Sequence, residues 1–384
     1  MSSVLFNIHD VTLLLRLGEC TLLAILFFVH RSNRPASNTL LAVFLLLNAM
    51  IAFHVITLWG QAFRFVAYAH VPNLFFVFEV AYFLEGPILL WYTRSLVFKD
   101  FSLHRRDLFH LIPAALTPFV LYGIYFRHPP ALREQIVLNF EHFGAFEPGF
   151  IWLIHPEKII VVVYGFLCLY QIISYRRRLK DNYSNTENID LTWLLLLIGG
   201  FLASWMCLLT AHLLGMNGYR ESATAIAISA NYVTLILINV LIFYALLYNG
   251  VFEGISHSEE DPQNAAEDQG SQHVEPVVRA LRDDKLYLNP KLTLEEFSER
   301  VGLPTRVVSR TINTHLNQNF HEFVNRYRVE EAQRALRENP DQEMAINEIA
   351  EASGFNSKAA FNRFFKKFTG MTPSEFRKSD VKRN

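Results

Sequence analysis

Two sets of residues in this chain have the types and spacing to do chemistry. Towards the C-terminal end, Ser357, Lys358, Ala359, Asn362, Arg363 and Lys366 recur at intervals that place them on one side of a helix. The opposite side carries Phe361, Phe364 and Phe365, which need burial. A basic, amide-bearing helix face suits the DNA major groove, where Arg and Asn make paired hydrogen bonds to base edges and Lys neutralises phosphate. Earlier in the chain, Thr305, Arg306, Ser309, Arg310 and Asn313 make a comparable face, opposite Val308 and Ile312.

The second set consists of polar and ionisable residues inside long apolar runs: Arg16, Glu19, His54, Glu79, Glu85, His212 and Asn231, with His155 and Glu157 at the edge of a run. Such residues are costly in hydrocarbon and usually face the interior of a helix bundle. They are consistent with an outward-facing ligand pocket, and also with polar contacts that hold helices together. Arg16 and Glu19, three residues apart, are expected to neutralise one another. No metal is expected, because no two ligands recur at i, i+4 and no HExxH motif occurs. There is also no nucleophile motif, phosphate-binding glycine loop or zinc signature, so neither catalysis nor a cofactor is expected. Cys20, Cys168 and Cys207 all lie in apolar runs and imply no disulfide framework.

The elements that must position these residues follow from composition. Of 384 residues, 51% are hydrophobic and only 18% charged, and mean hydropathy is +0.19. Soluble domains carry about 25% charged residues, so part of this chain is expected to face lipid. Seven apolar runs are long enough to cross a bilayer: 11–30, 39–59, 73–97, 108–126, 157–175, 191–215 and 224–249. The first carries Arg16 and Glu19 and lacks a basic leader, so it reads as a span rather than a removed signal peptide. Basic residues concentrate in the 1–2, 3–4 and 5–6 connections, including Arg105, Arg106 and the Arg176-Arg177-Arg178 run. The excess of positive charge in these connections makes them cytoplasmic, the N-terminus external and the C-terminus internal.

Three sections emerge: a membrane domain (1–250), an acidic tether (251–273) and a helical module (274–384). The tether is expected to be flexible, since residues 253–272 are polar, acidic and almost without apolar side chains. Net charge separates accordingly, with −7 over residues 250–284 and +4 over 285–384 within a total of −1. The module contains an internal duplication. Leu294, Phe297, Gly302 and Leu303 correspond to Ile346, Ile349, Gly354 and Phe355. Val308, Ile312, Asn317, Phe320 and Phe323 correspond, after one inserted residue, to Phe361, Phe365, Gly370, Pro373 and Phe376. Each copy reads as helix, tight turn, helix. Ser357 is the expected N-cap of the second helix of the second copy.

At these residues a family resemblance becomes specific. Leu292–Lys378 resembles the DNA-binding domain of AraC/XylS-type transcriptional regulators. Ile349-Ala350, Gly354-Phe355, Ser357, Phe361, Arg363, Phe365-Lys366, Gly370, Thr372-Pro373 and Arg377 carry the likeness, and Arg328 and Ala332 fit the connecting helix. The resemblance implies two recognition helices in successive major grooves of promoter DNA. Asn317 replaces a usual Gly, although Asn tolerates the left-handed conformation; Pro304 replaces a usual capping residue.

The fold expected is all-α: a seven-helix transmembrane bundle followed by two helix-turn-helix units joined by a linker helix. The function expected is a bacterial inner-membrane transcription regulator. Its partners would be double-stranded promoter DNA, the lipid bilayer and a small-molecule or membrane-borne signal. A homodimer is optional, because one chain already carries two reading helices. The competing readings are a transporter with an autoregulatory DNA-binding tail and a regulator with a passive membrane anchor.

Overall fold

The computed structural model describes residues 7–29, 35–98, 101–138, 151–185, 192–248, 270–338 and 344–381. The described residues are helical and contain no named strand; Tyr183 and Thr293 form an isolated antiparallel bridge. Two compact units are present. One comprises Met1–Ile173 with Leu191–His257, and the other Ser174–Asp190 with Ser258–Asn384.

The first unit holds α1 (Ile8–Val29), α2 (Pro35–Trp59), α3 (Gln61–His70), α4 (Val80–Val97), α5 (Ile112–Leu121) and α6 (Pro130–Leu138). It also holds most of α7 (Ile151–Asn182), with α8 (Thr192–Met216) and α9 (Arg220–Tyr248). Among the described residues, seven stretches are long and apolar enough to cross a membrane: Ile8–Val29, Ala36–Trp59, Pro72–Val97, Arg105–Phe126, Leu153–Asn182, Thr192–Met216 and Arg220–Tyr244. They correspond to the seven expected runs. Their outward faces are apolar, with Leu22, Phe119 and Leu196 each at least 70% exposed. Water would not tolerate so many apolar side chains on one surface.

The third and fourth stretches are not uniform helices. Short 3-10 turns at Pro72–Leu74 and Val77–Glu79, separated by a left-handed Phe76, precede α4. The fourth stretch is a 3-10 segment (Arg105–Leu111), then α5, then a π turn (Tyr122–Phe126). Asp107 anchors its start, accepting hydrogen bonds from the His104 N–H and from Arg94, both at 2.8 Å. Gly86-Pro87 does not interrupt α4, which continues through Pro87. Gly86 is required by packing: a Cβ there would lie 2.6 Å from the Tyr164 ring of α7. The short helices α3 and α6 were not expected from sequence. Ile136 and Val137 of α6 are fully buried in a cluster with Phe75, Phe76, Phe83 and Tyr125.

The second unit contains α10 (Val274–Asp283), α11 (Leu294–Val301), α12 (Thr305–Arg310), α13 (Phe320–Glu338), α14 (Ile346–Ala352), α15 (Lys358–Thr369) and α16 (Pro373–Val381). The duplication is visible as two cores. Val277, Leu281, Phe297, Val308, Ile312 and Phe323 belong to one; Ala332, Ile349, Phe355, Phe361 and Phe365 belong to the other. Helix α13 serves both, giving Phe320, Phe323 and Val324 to the first core and Val329, Ala332 and Leu336 to the second. The acidic stretch expected as a tether lies mostly outside the described residues, while Gly270–His273 forms a 3-10 turn leading into α10.

Candidate nucleic-acid interface

Local chemistry explains why the second unit adopts two helix–turn–helix copies. Thr293 and Glu296 form a reciprocal capping box at the start of α11. Its end is closed by Gly302 at φ 73°. Pro304 occupies the N-cap of α12 without a side-chain cap bond. Helix α12 then widens into a π turn at Thr311–His315, where Thr311 Oγ1 donates to the Val307 carbonyl at 2.9 Å. Asn317 ends the segment at φ 52°, the left-handed conformation anticipated for it. In the second copy the Ser357 hydroxyl accepts from the Ala360 N–H at 3.1 Å, as expected of an N-cap. Such a cap stabilises a helix by about 1 kcal/mol.

Gly354 is needed at the turn between α14 and α15 for two reasons. Its φ is +85°, and a Cβ would lie 2.5 Å from the Tyr287 carbonyl. That close approach brings the second copy's turn onto the backbone just ahead of the first copy.

Burial separates the two faces of α12 and of α15. Val308, Ile312, Phe361 and Phe365 are fully buried and Phe364 nearly so. Thr305, Arg306, Arg310 and Asn313 are exposed, with Ser309 half-buried. On α15, Lys358, Ala359, Arg363 and Lys366 are exposed, with Ser357 and Asn362 half-buried. The Arg363 guanidinium lies over the Phe364 ring at 5.2 Å, a contact that restricts its directions of reach. Lys367 is engaged by Glu322 of α13 in an ion pair that ties α15 to the linker helix.

Arg328 carries more than the sequence reading assigned to it. It is 1% exposed, and donates to the carbonyls of Tyr287 and Asn289 at 2.7 Å each and to Asn325 Oδ1 at 3.1 Å. Burial lowers its pKa to about 10, so it remains a cation at neutral pH. The detectable signal was position: Val324, Arg328 and Ala332 fall on one inward-facing stripe of α13.

The polar residues of the first unit divide into groups. Arg16 donates to Asn48 Oδ1, and Glu85 also bonds the Asn48 side chain. His54 meets Glu79 at 3.0 Å, and Glu157 pairs with Lys158 at 2.7 Å. Lys158 lies 4.5 Å from the centre of the Tyr82 ring. Arg16 and Glu19, expected to neutralise one another, have different partners, since Glu19 accepts from Asn239 at 3.1 Å. His212 meets His155 at 3.5 Å, and Asn231 is half-buried on α9. Lys158 belongs to this interior: its side chain is 18% exposed and opposes a buried carboxylate. No group of three His, Cys, Asp or Glu among the described residues is placed to hold a metal ion.

Residues 297–379 match a family described as a helix-turn-helix domain. An uncharacterized HTH-type transcriptional regulator of Staphylococcus aureus (strain COL) is 36% identical over 106 residues, covering 25% of this chain and 14% of that protein. The corresponding regulator of strain MSSA476 is 35% identical over the same length and coverage. An uncharacterized transcriptional regulatory protein, YesN, of Bacillus subtilis (strain 168) is 30% identical over 111 residues, covering 28% of this chain and 29% of its own length. The chain thus spans under a third of the length of these relatives, and the likeness is confined to about one domain. No solved structure matches the chain. The matched segment begins at Phe297, inside α11, and ends within α16, so it takes in α12, α13 and α15.

Proposed function

We propose that this chain is a membrane-embedded, sequence-specific DNA-binding transcription regulator. The observation that carries this reading is the pair of exposed faces on α12 and α15, set on one shared linker helix. Thr305, Arg306, Ser309, Arg310 and Asn313 would read one segment of the major groove. Ser357, Lys358, Ala359, Asn362, Arg363 and Lys366 would read the next. Arg supplies bidentate recognition of guanine, Asn recognition of adenine, and Lys sequence-independent affinity for phosphate. The regulators named above support the reading by kind, since each is described as transcriptional. Residues 1–250 would be the membrane domain, 251–273 the tether and 274–384 the DNA-binding domain. The loop charges orient the bundle in a bacterial inner membrane with the N-terminus outside, delivering the reader to the compartment that holds DNA.

The polar interior favours sensing over passive anchoring. Glu79, Glu85 and Glu157 are each 3–5% exposed, with His54 against Glu79 and Lys158 against Glu157. Burying such a set costs several kcal/mol per unmatched ion, more than apolar packing of a plain anchor requires. A signal bound better by one bundle arrangement would shift the population of DNA-competent molecules. In the host, Glu79→Gln and His54→Gln should change target-gene expression at unchanged protein abundance. Unaltered expression with both variants would leave the bundle an anchor. Chromatin mapping with the intact chain tests the DNA-binding reading: discrete promoter peaks are expected, and uniform background would overturn it.

A further inference from the structure

The interior of the DNA-reading unit is completed by a residue that lies over a hundred positions away in sequence. Ser184 follows the end of α7 and is 1% exposed. Its N–H donates to the Leu292 carbonyl at 3.2 Å, and its hydroxyl donates to the same oxygen at 2.7 Å. Its own carbonyl accepts from His321 Nδ1 at 2.7 Å, from Asn325 Nδ2 at 2.9 Å and from Arg328 at 3.4 Å. Arg328 also donates to the Ser184 hydroxyl at 3.2 Å. Beside it, Tyr183 bridges Thr293, the N-cap of α11.

These partners are themselves buried, with Leu292, His321, Asn325 and Arg328 at 5% exposure or less. Without Ser184, several of their donors and acceptors would stand unmet in a place water reaches poorly, which is costly. The place is also specific. Leu292 opens the first helix-turn-helix copy, and His321, Asn325 and Arg328 belong to the linker helix. His321 packs edge-on against Phe364 of the second reading helix at 4.9 Å, and Arg328 lies 5.9 Å from the Phe355 ring in the second turn. Ser184 therefore sits where the two copies and their linker meet.

We propose that Ser184 is a positioning residue for DNA reading: it completes the junction that fixes the two reading helices relative to one another. The proposal rests on the DNA-binding function proposed above. Because Ser184 follows α7, whose residues up to Ile173 belong to the other unit, a change in α7 that withdraws it loosens the junction. Recognition of a two-part site would then weaken, while each reading helix kept its own contacts.

The test uses the full-length chain in lipid nanodiscs and a two-part duplex enriched by the wild type from a random DNA library. Two control duplexes each keep one half of that site and have the other scrambled. Ser184→Pro removes the N–H and the hydroxyl together, and Ser184→Ala removes the hydroxyl alone. Affinity for the two-part duplex should fall roughly tenfold for the proline variant and about threefold for the alanine variant. Binding to each half-site duplex should be unchanged. If both variants bound the two-part duplex as the wild type does, or lost all three duplexes equally, Ser184 would have no positioning role. Should the proline variant misfold and lose half-site binding, the alanine variant decides alone. A wild type that enriches no duplex would instead overturn the DNA-binding reading, and this inference with it.

Discussion

Replacing Arg328 by Met is the most informative perturbation of the reading unit. Met approximates the aliphatic part of the side chain and removes every donor. The substitution takes a donor from the Tyr287 and Asn289 carbonyls, from Asn325 Oδ1 and from both oxygens of Ser184. Some loss is absorbed, because Asn289 still accepts from the Leu292 N–H and the Ser184 carbonyl still accepts from His321 and Asn325. The Tyr287 carbonyl has the most to lose, with Gly354 packed against it. Stranding one or two buried acceptors, less the recovered cost of burying a guanidinium, amounts to about 3–5 kcal/mol. The assay is amide hydrogen exchange of the full-length chain in nanodiscs, read on peptides from α13. Protection there should fall by roughly two to four powers of ten, while peptides from α8 should not change. Arg328→Lys, which keeps the charge but not the planar fork of donors, should fall between the two. Protection of α13 within a factor of about three of wild type would refute the claim that this network holds the junction together.

Three further perturbations have definite outcomes. Arg363→Ala should cost roughly 1–3 kcal/mol of specific DNA binding and relax preference at one base, whereas Lys366→Ala should weaken binding to all sequences and flatten its salt dependence; competition titrations at several salt concentrations separate the two. Burial depresses the His321 pKa from 6.5 to about 4, so the folded form resists protonation where the unfolded chain accepts a proton. Stability of the reading unit should therefore decline as pH falls from about 6.5 towards about 4, by up to about 3 kcal/mol, and His321→Asn should flatten that decline in exchange measurements. Gly354→Ala should destabilise the same unit by roughly 2 kcal/mol or more, since φ +85° and a 2.5 Å approach to the Tyr287 carbonyl both oppose a Cβ; thermal unfolding near that of wild type would contradict it.

The features legible in sequence were those with a strong period or a strong length requirement. Seven apolar stretches stand out because hydrocarbon demands about 20 residues each, and the duplication stands out because both copies bury the same pattern of Phe, Leu and Ile. Ser357 and Asn317 were readable because capping and left-handed backbone each restrict residue choice. The contacts between elements were not legible. Arg16 and Glu19 are neighbours on α1, yet the helices around them offer Asn48 and Asn239 instead. Lys158 stands at the edge of an apolar run, and only helix packing shows that it meets Glu157 and Tyr82. Ser184 is an unremarkable serine after a basic helix end, and its four partners, Leu292, His321, Asn325 and Arg328, lie in a different part of the sequence. Arg328 carried a partial signal: its place on an inward stripe announced burial but not which carbonyls it would serve.

The proposed function requires one chain to read DNA with two helices on one spine. Enrichment of a random duplex library by the full-length protein in nanodiscs tests it most directly. The account predicts one two-part motif whose halves are about 10 base pairs apart, one turn of DNA. Arg310→Ala should relax base preference within one half and Arg363→Ala within the other. A library without any enriched motif, or a motif unchanged by both substitutions, would contradict the account.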